Sequence, residues 1–238
     1  RNHSSAASDV YKRQGIWEIP SRSARRNTLS RSSLHDGSPM QPNNLQRELT
    51  PFLGRESEIE SLVNTMLDPG YPLITVTSEG GCGKSRLAVA AARRVMELNH
   101  HEFPDGIWFV SLASLHHTDR DLGSALARMI AKSMGLLLHG RRSVSEQLFG
   151  LLRDRQCLLI LDNFEQLIAP VLETTLGDVA DEHNNAVDFV VALLEAAEQT
   201  HLLVTSRVPL DLNCEFVIPL HGLPAVSYTH LRAHETSE

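Results

Sequence analysis

An eight-residue segment, residues 78–85, combines the residue types that bind phosphate groups. Its sequence, SEGGCGKS, follows a short β-rich run and precedes an alanine-rich segment with helical spacing. Glycines let backbone N–H groups turn toward phosphate oxygens without a Cβ clash, and a helix N-terminus adds partial positive charge. The residues therefore indicate a phosphate-binding loop between a strand and a helix.

The segment fits the P-loop pattern GxxxxGK[ST] except at its first position, where Ser78 replaces glycine. We expect little effect, since Ser78 ends the strand rather than touching phosphate. Lys84 is expected to reach the β- and γ-phosphates of ATP, and the Ser85 hydroxyl to ligate Mg²⁺. The other loop residues predicted to contact nucleotide are Gly80, Gly81, Cys82, Gly83 and Arg86.

An acidic residue follows the next fully apolar run. The sequence CLLILD places Asp162 at the carboxyl end of a predicted buried strand. Ligands of parallel sheets lie beyond the carboxyl ends of the strands, so Asp162 is suited to hold Mg²⁺. Proteins of this architecture often carry a second acid directly afterwards, but here that position is Asn163. Glu165 either orients an attacking water or caps the following helix. The sequence thus predicts nucleotide binding and leaves hydrolysis open.

The run LLVTSR ends a later predicted strand with Arg207. If this strand lies beside the phosphate site, Arg207 can sense a γ-phosphate through charge-assisted hydrogen bonds. The alternative is a surface arginine that merely follows a strand. We favour the sensing role.

Strand and helix patterns alternate along the chain. Apolar spacing predicts helices at residues 56–67, 84–98, 122–134, 144–152 and 186–197, and strands at 71–77, 106–112, 157–161, 201–205 and 215–220. Five strands separated by helices predict an α/β fold: three αβα layers, the P-loop NTPase arrangement, with a mostly parallel five-stranded sheet.

The two ends of the chain look foreign to the rest. The sequence DVYKRQ near the start can be encoded by GATGTGTATAAGAGACAG, whose reverse complement in a shifted frame encodes AVSYTHL near the end. We therefore expect adaptor-like tails at 1–14 and 225–238. The Ser- and Arg-rich residues 15–43 fit a disordered linker or, less well, a nucleic-acid arm. This leaves one folded domain at 44–224.

Net charge, cysteine number and apolar run length argue against several classes of partner and site. The formal net charge of −7 argues against direct DNA contact by this domain, because a phosphate backbone would repel it. Three cysteines, widely spaced and odd in number, indicate neither a disulfide framework nor a zinc site. No apolar run is long enough to span a membrane, so we expect a cytoplasmic protein without membrane contact.

Six segments in order resemble the STAND class of signal-transduction ATPases, which is related to NB-ARC and AAA-like domains. They are residues 44–58 (NLQRELTPFLGRESE), 80–88 (GGCGKSRLA), 103–113 (FPDGIWFVSLA), 159–165 (LILDNFE), 202–210 (LLVTSRVPL) and 215–224 (EFVIPLHGLP). The nearest likeness is to the ATPase modules of large bacterial LuxR-type and SARP-type transcriptional regulators. This resemblance implies that Phe52, Leu53, Gly54 and Arg55 line the adenine side of the site.

The resemblance also implies a biological role. The expected function is an ATP/ADP switch with slow Mg²⁺-dependent hydrolysis, covalently linked to sensor and output domains beyond this chain. The alternatives are a scaffold that binds nucleotide without hydrolysing it and a module for nucleotide-dependent self-association.

Overall fold

The computed structural model describes residues 41–46, 52, 54–98, 102–119, 121–168 and 185–222. The predicted tails, most of the predicted linker and the candidate adenine contact Leu53 lie outside these residues. Their assignments stay predictions.

Helices and strands alternate through the described residues. The helices are α1 (Glu56–Met66), α2 (Lys84–Leu98), α3 (Leu122–Ser133), α4 (Val144–Leu152) and α5 (Asn185–Ala196). The strands are β1 (Leu73–Thr77), β2 (Ile107–Ser111), β3 (Leu158–Asp162), β4 (His201–Ser206) and β5 (Glu215–Pro219). Each matches a predicted element with ends shifted by at most two residues. A short 3₁₀ turn, Phe164–Leu167, was not predicted.

The strands form one parallel sheet in the order β2-β3-β4-β1-β5. The predicted α/β fold class is confirmed. β1 lies beside β4, and β4 lies beside β3, so the segments that follow these three strands leave the same edge of the sheet at its centre. That edge is where ligands of open parallel sheets bind.

The sheet separates two hydrophobic clusters. Along β3, which is buried throughout, Leu159 and Leu161 belong to one cluster, whereas Leu158 and Ile160 belong to the other. The first cluster contains apolar residues of α3, α4 and α5, and the second contains those of α1 and α2. Side chains alternate across a strand, so a continuous apolar run supplies both layers. This gives the predicted three-layer arrangement.

A short N-terminal segment lies along the outer edge of β2. The Ile107 N–H donates to the Pro42 carbonyl at 3.0 Å. Further along, the Asn44 side chain accepts from Phe109 N at 2.6 Å and donates to Phe109 O at 2.8 Å. An amide side chain therefore satisfies the backbone groups of an edge strand. Residues 41–43, which the composition assigns to the linker, are part of this contact.

Candidate functional site

The predicted P-loop wraps around the amine of Lys84. Gly81 and Gly83 have φ angles of +83° and +87°, in the left-handed region that favours glycine. Lys84 begins α2 and is buried, and its Nζ donates to the carbonyls of Ser78 at 2.7 Å and Glu79 at 3.1 Å. The loop thus has the strand–loop–helix position and the glycine geometry that phosphate binding requires.

Phe52 is brought to this loop from before α1. A Cβ atom placed on Gly83 would lie 3.6 Å from Cε2 of the Phe52 ring, which is ordinary van der Waals contact. The Arg86 guanidinium lies over the same ring, 5.0 Å from its centroid. A cation above an aromatic face at this distance is attracted to it. Phe52, one of the residues predicted to line the adenine side, therefore lies against the phosphate-binding loop.

Arg55 has a different partner. It is buried, and its Nη1 lies 2.7 Å from Glu58 Oε1, three residues later in α1. Burial alone would raise the pKa of Glu58, but hydrogen bonds from Arg55 and Ser57 outweigh it and lower the pKa below the ordinary 4.5. The neighbouring Gly54 has a φ of +76° and donates its N–H to Glu56 Oε1 at 3.2 Å. Arg55 and Gly54 therefore shape the start of α1.

A threonine joins the ends of β3 and β4. Thr205 Oγ1 donates to Asp162 Oδ1 at 2.7 Å and accepts from Asn163 N at 3.1 Å. Asp162 and Thr205 are both buried, and Asn163 adopts the left-handed conformation with φ of 64°. Asparagine tolerates this conformation better than most residues. The contact fixes the orientation of the candidate Mg²⁺ ligand, and Thr205 is a site residue that the sequence reasoning missed.

Glu165 and Arg207 form an ion pair beside the loop. Arg207 Nε lies 3.3 Å from Glu165 Oε1, and a Cβ atom placed on Gly80 would lie 3.3 Å from Arg207 Nη2. The Glu165 side chain is 17% exposed and that of Arg207 is 64% exposed. The structure thus brings together two predicted site residues and the loop, and gives Glu165 an arginine partner.

Two oxygen donors, Ser85 and Asp162, are available for magnesium, which would need phosphate oxygens and water as further ligands. Ser85 in the first turn of α2 and Asp162 at the end of β3 offer a hydroxyl and a carboxylate, the hard oxygen ligands that Mg²⁺ prefers. Among the described residues, no three His, Cys, Asp or Glu side chains cluster closely enough to hold a metal themselves. Two such donors fit an ion whose remaining ligands are phosphate oxygens and water.

Two of the cysteines are poor candidates for covalent chemistry. Burial raises the pKa of Cys157 to about 11, and its Sγ lies 3.6 Å from Thr200 Oγ1. Burial also raises the pKa of Cys214 above its ordinary value. Both are therefore thiols at neutral pH, and the thiol is not the nucleophilic form.

Comparison with known families and proteins agrees with this geometry. The NB-ARC domain family matches residues 55–208, which is more than half of the chain. An uncharacterized protein of Mycobacterium tuberculosis is 34% identical over 123 residues, covering 52% of this chain. Another M. tuberculosis protein, named "Putative HTH-type transcriptional regulator", is 31% identical over 157 residues, covering 66% of this chain.

These relatives are much longer than the matched region. The chain spans 28% of the first and 14% of the second. Among solved structures, Aeropyrum pernix ORC1 in complex with DNA matches 76% of this chain and 49% of its own, with a TM-score of 0.50 and 17% identity. At that identity the likeness concerns the fold. Within the described residues, no helix is long and apolar enough to cross a membrane.

Proposed function

The chain belongs to the NB-ARC family, and from this premise we propose that it is an ATP- and ADP-binding regulatory switch. The observation that carries the proposal is the meeting of three elements at one sheet edge. Lys84 lies inside the glycine-rich loop that follows β1, Asp162 is fixed at the end of β3 on the far side of β4, and Arg207 follows β4 and lies against Gly80. Each supplies a charge where a nucleoside triphosphate would present its phosphates.

The residues divide the binding task between them. Backbone N–H groups of the loop and of the N-terminus of α2 bind phosphate oxygens. When nucleotide binds, the Lys84 amine exchanges its hydrogen bonds with the carbonyls of Ser78 and Glu79 for contacts with the β- and γ-phosphates. Ser85 and Asp162 hold Mg²⁺, which neutralises charge on the phosphates when bound. Phe52, already packed on Gly83, provides an apolar surface on the adenine side. We keep Leu53, Gly54 and Arg55 in the same proposed adenine segment.

Slow hydrolysis is part of the proposal. Glu165 is the carboxylate nearest in sequence to Asp162 on the phosphate side, and it is the proposed residue for orienting water. A non-hydrolysing scaffold is the second candidate. It is favoured by Asn163, which stands where a second acid is common.

Two measurements separate these functions. Titration calorimetry with ADP and a non-hydrolysable ATP analogue, with and without Mg²⁺, tests binding, and Asp162→Asn should remove the magnesium dependence. Single-turnover phosphate release then tests hydrolysis, with Glu165→Gln as the matched variant. Phosphate release that Glu165→Gln lowers supports the hydrolysing switch. No release from a chain that binds ATP would contradict hydrolysis and leave the scaffold.

We also propose a setting for the module. It would act inside a larger cytoplasmic regulator whose sensor and output domains are covalently linked to it. The M. tuberculosis relative named as an HTH-type regulator supports this, and the net charge of −7 argues against DNA contact by the module itself. Nucleotide-dependent self-association belongs to the same proposal. Light scattering with and without ATP tests it, and a monomer in both states would contradict it.

A further inference from the structure

We infer that Glu165 competes with the γ-phosphate for Arg207, so that their ion pair reports which nucleotide is bound. With ADP the pair stays closed. With a triphosphate, Arg207 exchanges the Glu165 carboxylate for the γ-phosphate, and Glu165 becomes available to water. The inference rests on the proposed function because it assumes that the phosphates lie in the loop.

The position of Arg207 supports the exchange. Its Nε faces Glu165 Oε1 at 3.3 Å, while Nη2 lies 3.3 Å from the place of a Cβ atom on Gly80. Such a Cβ contact is tighter than most real ones, so the guanidinium uses the room that a glycine leaves at position 80. Arg207 is therefore already beside the loop and can reach a phosphate there through a change of side-chain rotamer.

The balance of charge sets the direction of exchange. An ion pair whose arginine is 64% exposed is weakened by solvent and contributes little to stability. A terminal phosphate carries more negative charge than a carboxylate and accepts the parallel hydrogen bonds of the guanidinium fork. A γ-phosphate within reach therefore displaces the carboxylate, whereas ADP presents none.

The release of Glu165 has its own consequence. Glu165 is 17% exposed, and its Oε2 is buried without a hydrogen-bond partner in the described part of the chain. Once Arg207 leaves, Oε1 loses its ion-pair partner as well, and a largely buried carboxylate without hydrogen bonds is unfavourable. Accepting a hydrogen bond from water relieves this. Water would therefore be positioned by Glu165 only after a triphosphate has taken Arg207.

The strands need not move during the exchange. Thr205 holds both Asp162 and the backbone N–H of Asn163, which fastens the end of β3 to β4. Glu165 follows Asn163 closely, and Arg207 follows Thr205 closely, so the same contact fixes the two backbones that carry the pair. The exchange is thus confined to side chains.

A double-mutant cycle on the full chain tests the inference. Calorimetry would measure binding of ADP and of a non-hydrolysable ATP analogue by wild type, Glu165→Gln, Arg207→Gln and the double variant. Glu165→Gln should tighten the analogue by about three- to fivefold, the range of a screened ion pair, and change ADP affinity less than about twofold. In the Arg207→Gln background, the effect of Glu165→Gln should disappear.

A second ion pair, exposed on both sides and away from the loop, gives the control. Arg94 and Glu97 in α2 lie 3.1 Å apart with side chains 49% and 65% exposed. Glu97→Gln should change neither affinity. If Glu165→Gln changed the affinity for both nucleotides equally, or still changed it in the Arg207→Gln background, the inference would be overturned. The proposed function would stand in that case. Failure of the wild-type chain to bind either nucleotide would overturn the proposed function with it.

Discussion

Thr205 donates a 2.7 Å hydrogen bond to Asp162 across the β3–β4 boundary. The same hydroxyl accepts from the N–H of Asn163, so one buried side chain satisfies both an acid and the turn that follows it. This places the candidate Mg²⁺ ligand in a single orientation before any ligand binds. Thr205 therefore organises the end of β3 at the candidate site.

Replacing Thr205 by valine should destabilise the fold and disorient Asp162. The change keeps the shape of the side chain but leaves the Asp162 oxygen and the Asn163 N–H without this partner. An unsatisfied buried polar group costs about 1–3 kcal/mol, which should appear as a lower urea midpoint. Thr205→Ser retains the hydroxyl and should restore most of the stability. Equal midpoints for the valine and serine variants would show that the hydrogen bonds are unimportant.

Alanine at Gly83 should impair the loop. The φ of +87° is unfavourable for any L-residue and should cost roughly 1–2 kcal/mol of folding free energy. The added Cβ would also lie in van der Waals contact with Phe52. We expect a lower melting temperature and weaker ADP binding, measured by calorimetry. Gly150 in α4 provides the control, because a Cβ there meets open space. Gly150→Ala should stabilise the chain by about 0.5–1 kcal/mol and leave ADP affinity unchanged. Normal ADP affinity in Gly83→Ala would argue against a loop held in this conformation.

The Arg55–Glu58 pair should make stability fall in acid. The folded-state pKa of Glu58 lies below 4.5, so the unfolded chain takes up a proton first as the pH drops. The contribution is therefore complete well above pH 4.5 and is lost as the pH falls through the folded-state pKa. Glu58→Gln should lower the urea midpoint at pH 7 and reduce its further fall as the pH drops below 4.5. Glu60→Gln, an exposed change in the same helix, is the control. An unchanged pH profile in Glu58→Gln would contradict this assignment.

The sequence predicted the elements better than the contacts between their side chains. The run CLLIL identified β3 because a strand buried on both faces has no polar positions, and the loop was recognised because its glycines and Lys84 have fixed spacing. The Glu165–Arg207 pair depends on β3 lying next to β4, which apolar patterns do not encode. The Thr205 contact further requires the rotamer of a single hydroxyl. The pairing of Asn44 with Phe109 was missed because a single amide side chain bonds the backbone N–H and carbonyl of the edge strand. Such a contact leaves no alternation of apolar residues in the sequence.

The central claim is that residues 78–85 bind the phosphates of ATP or ADP, and Lys84→Ala tests it most directly. Titration calorimetry with Mg²⁺ should show about 10- to 100-fold weaker binding of both nucleotides, since a charge-assisted hydrogen bond contributes about 1.5–3 kcal/mol. Lys132→Ala, an exposed change in the last turn of α3, should bind like the wild type. Equal affinity in the wild type and Lys84→Ala, with both chains folded, would contradict the account.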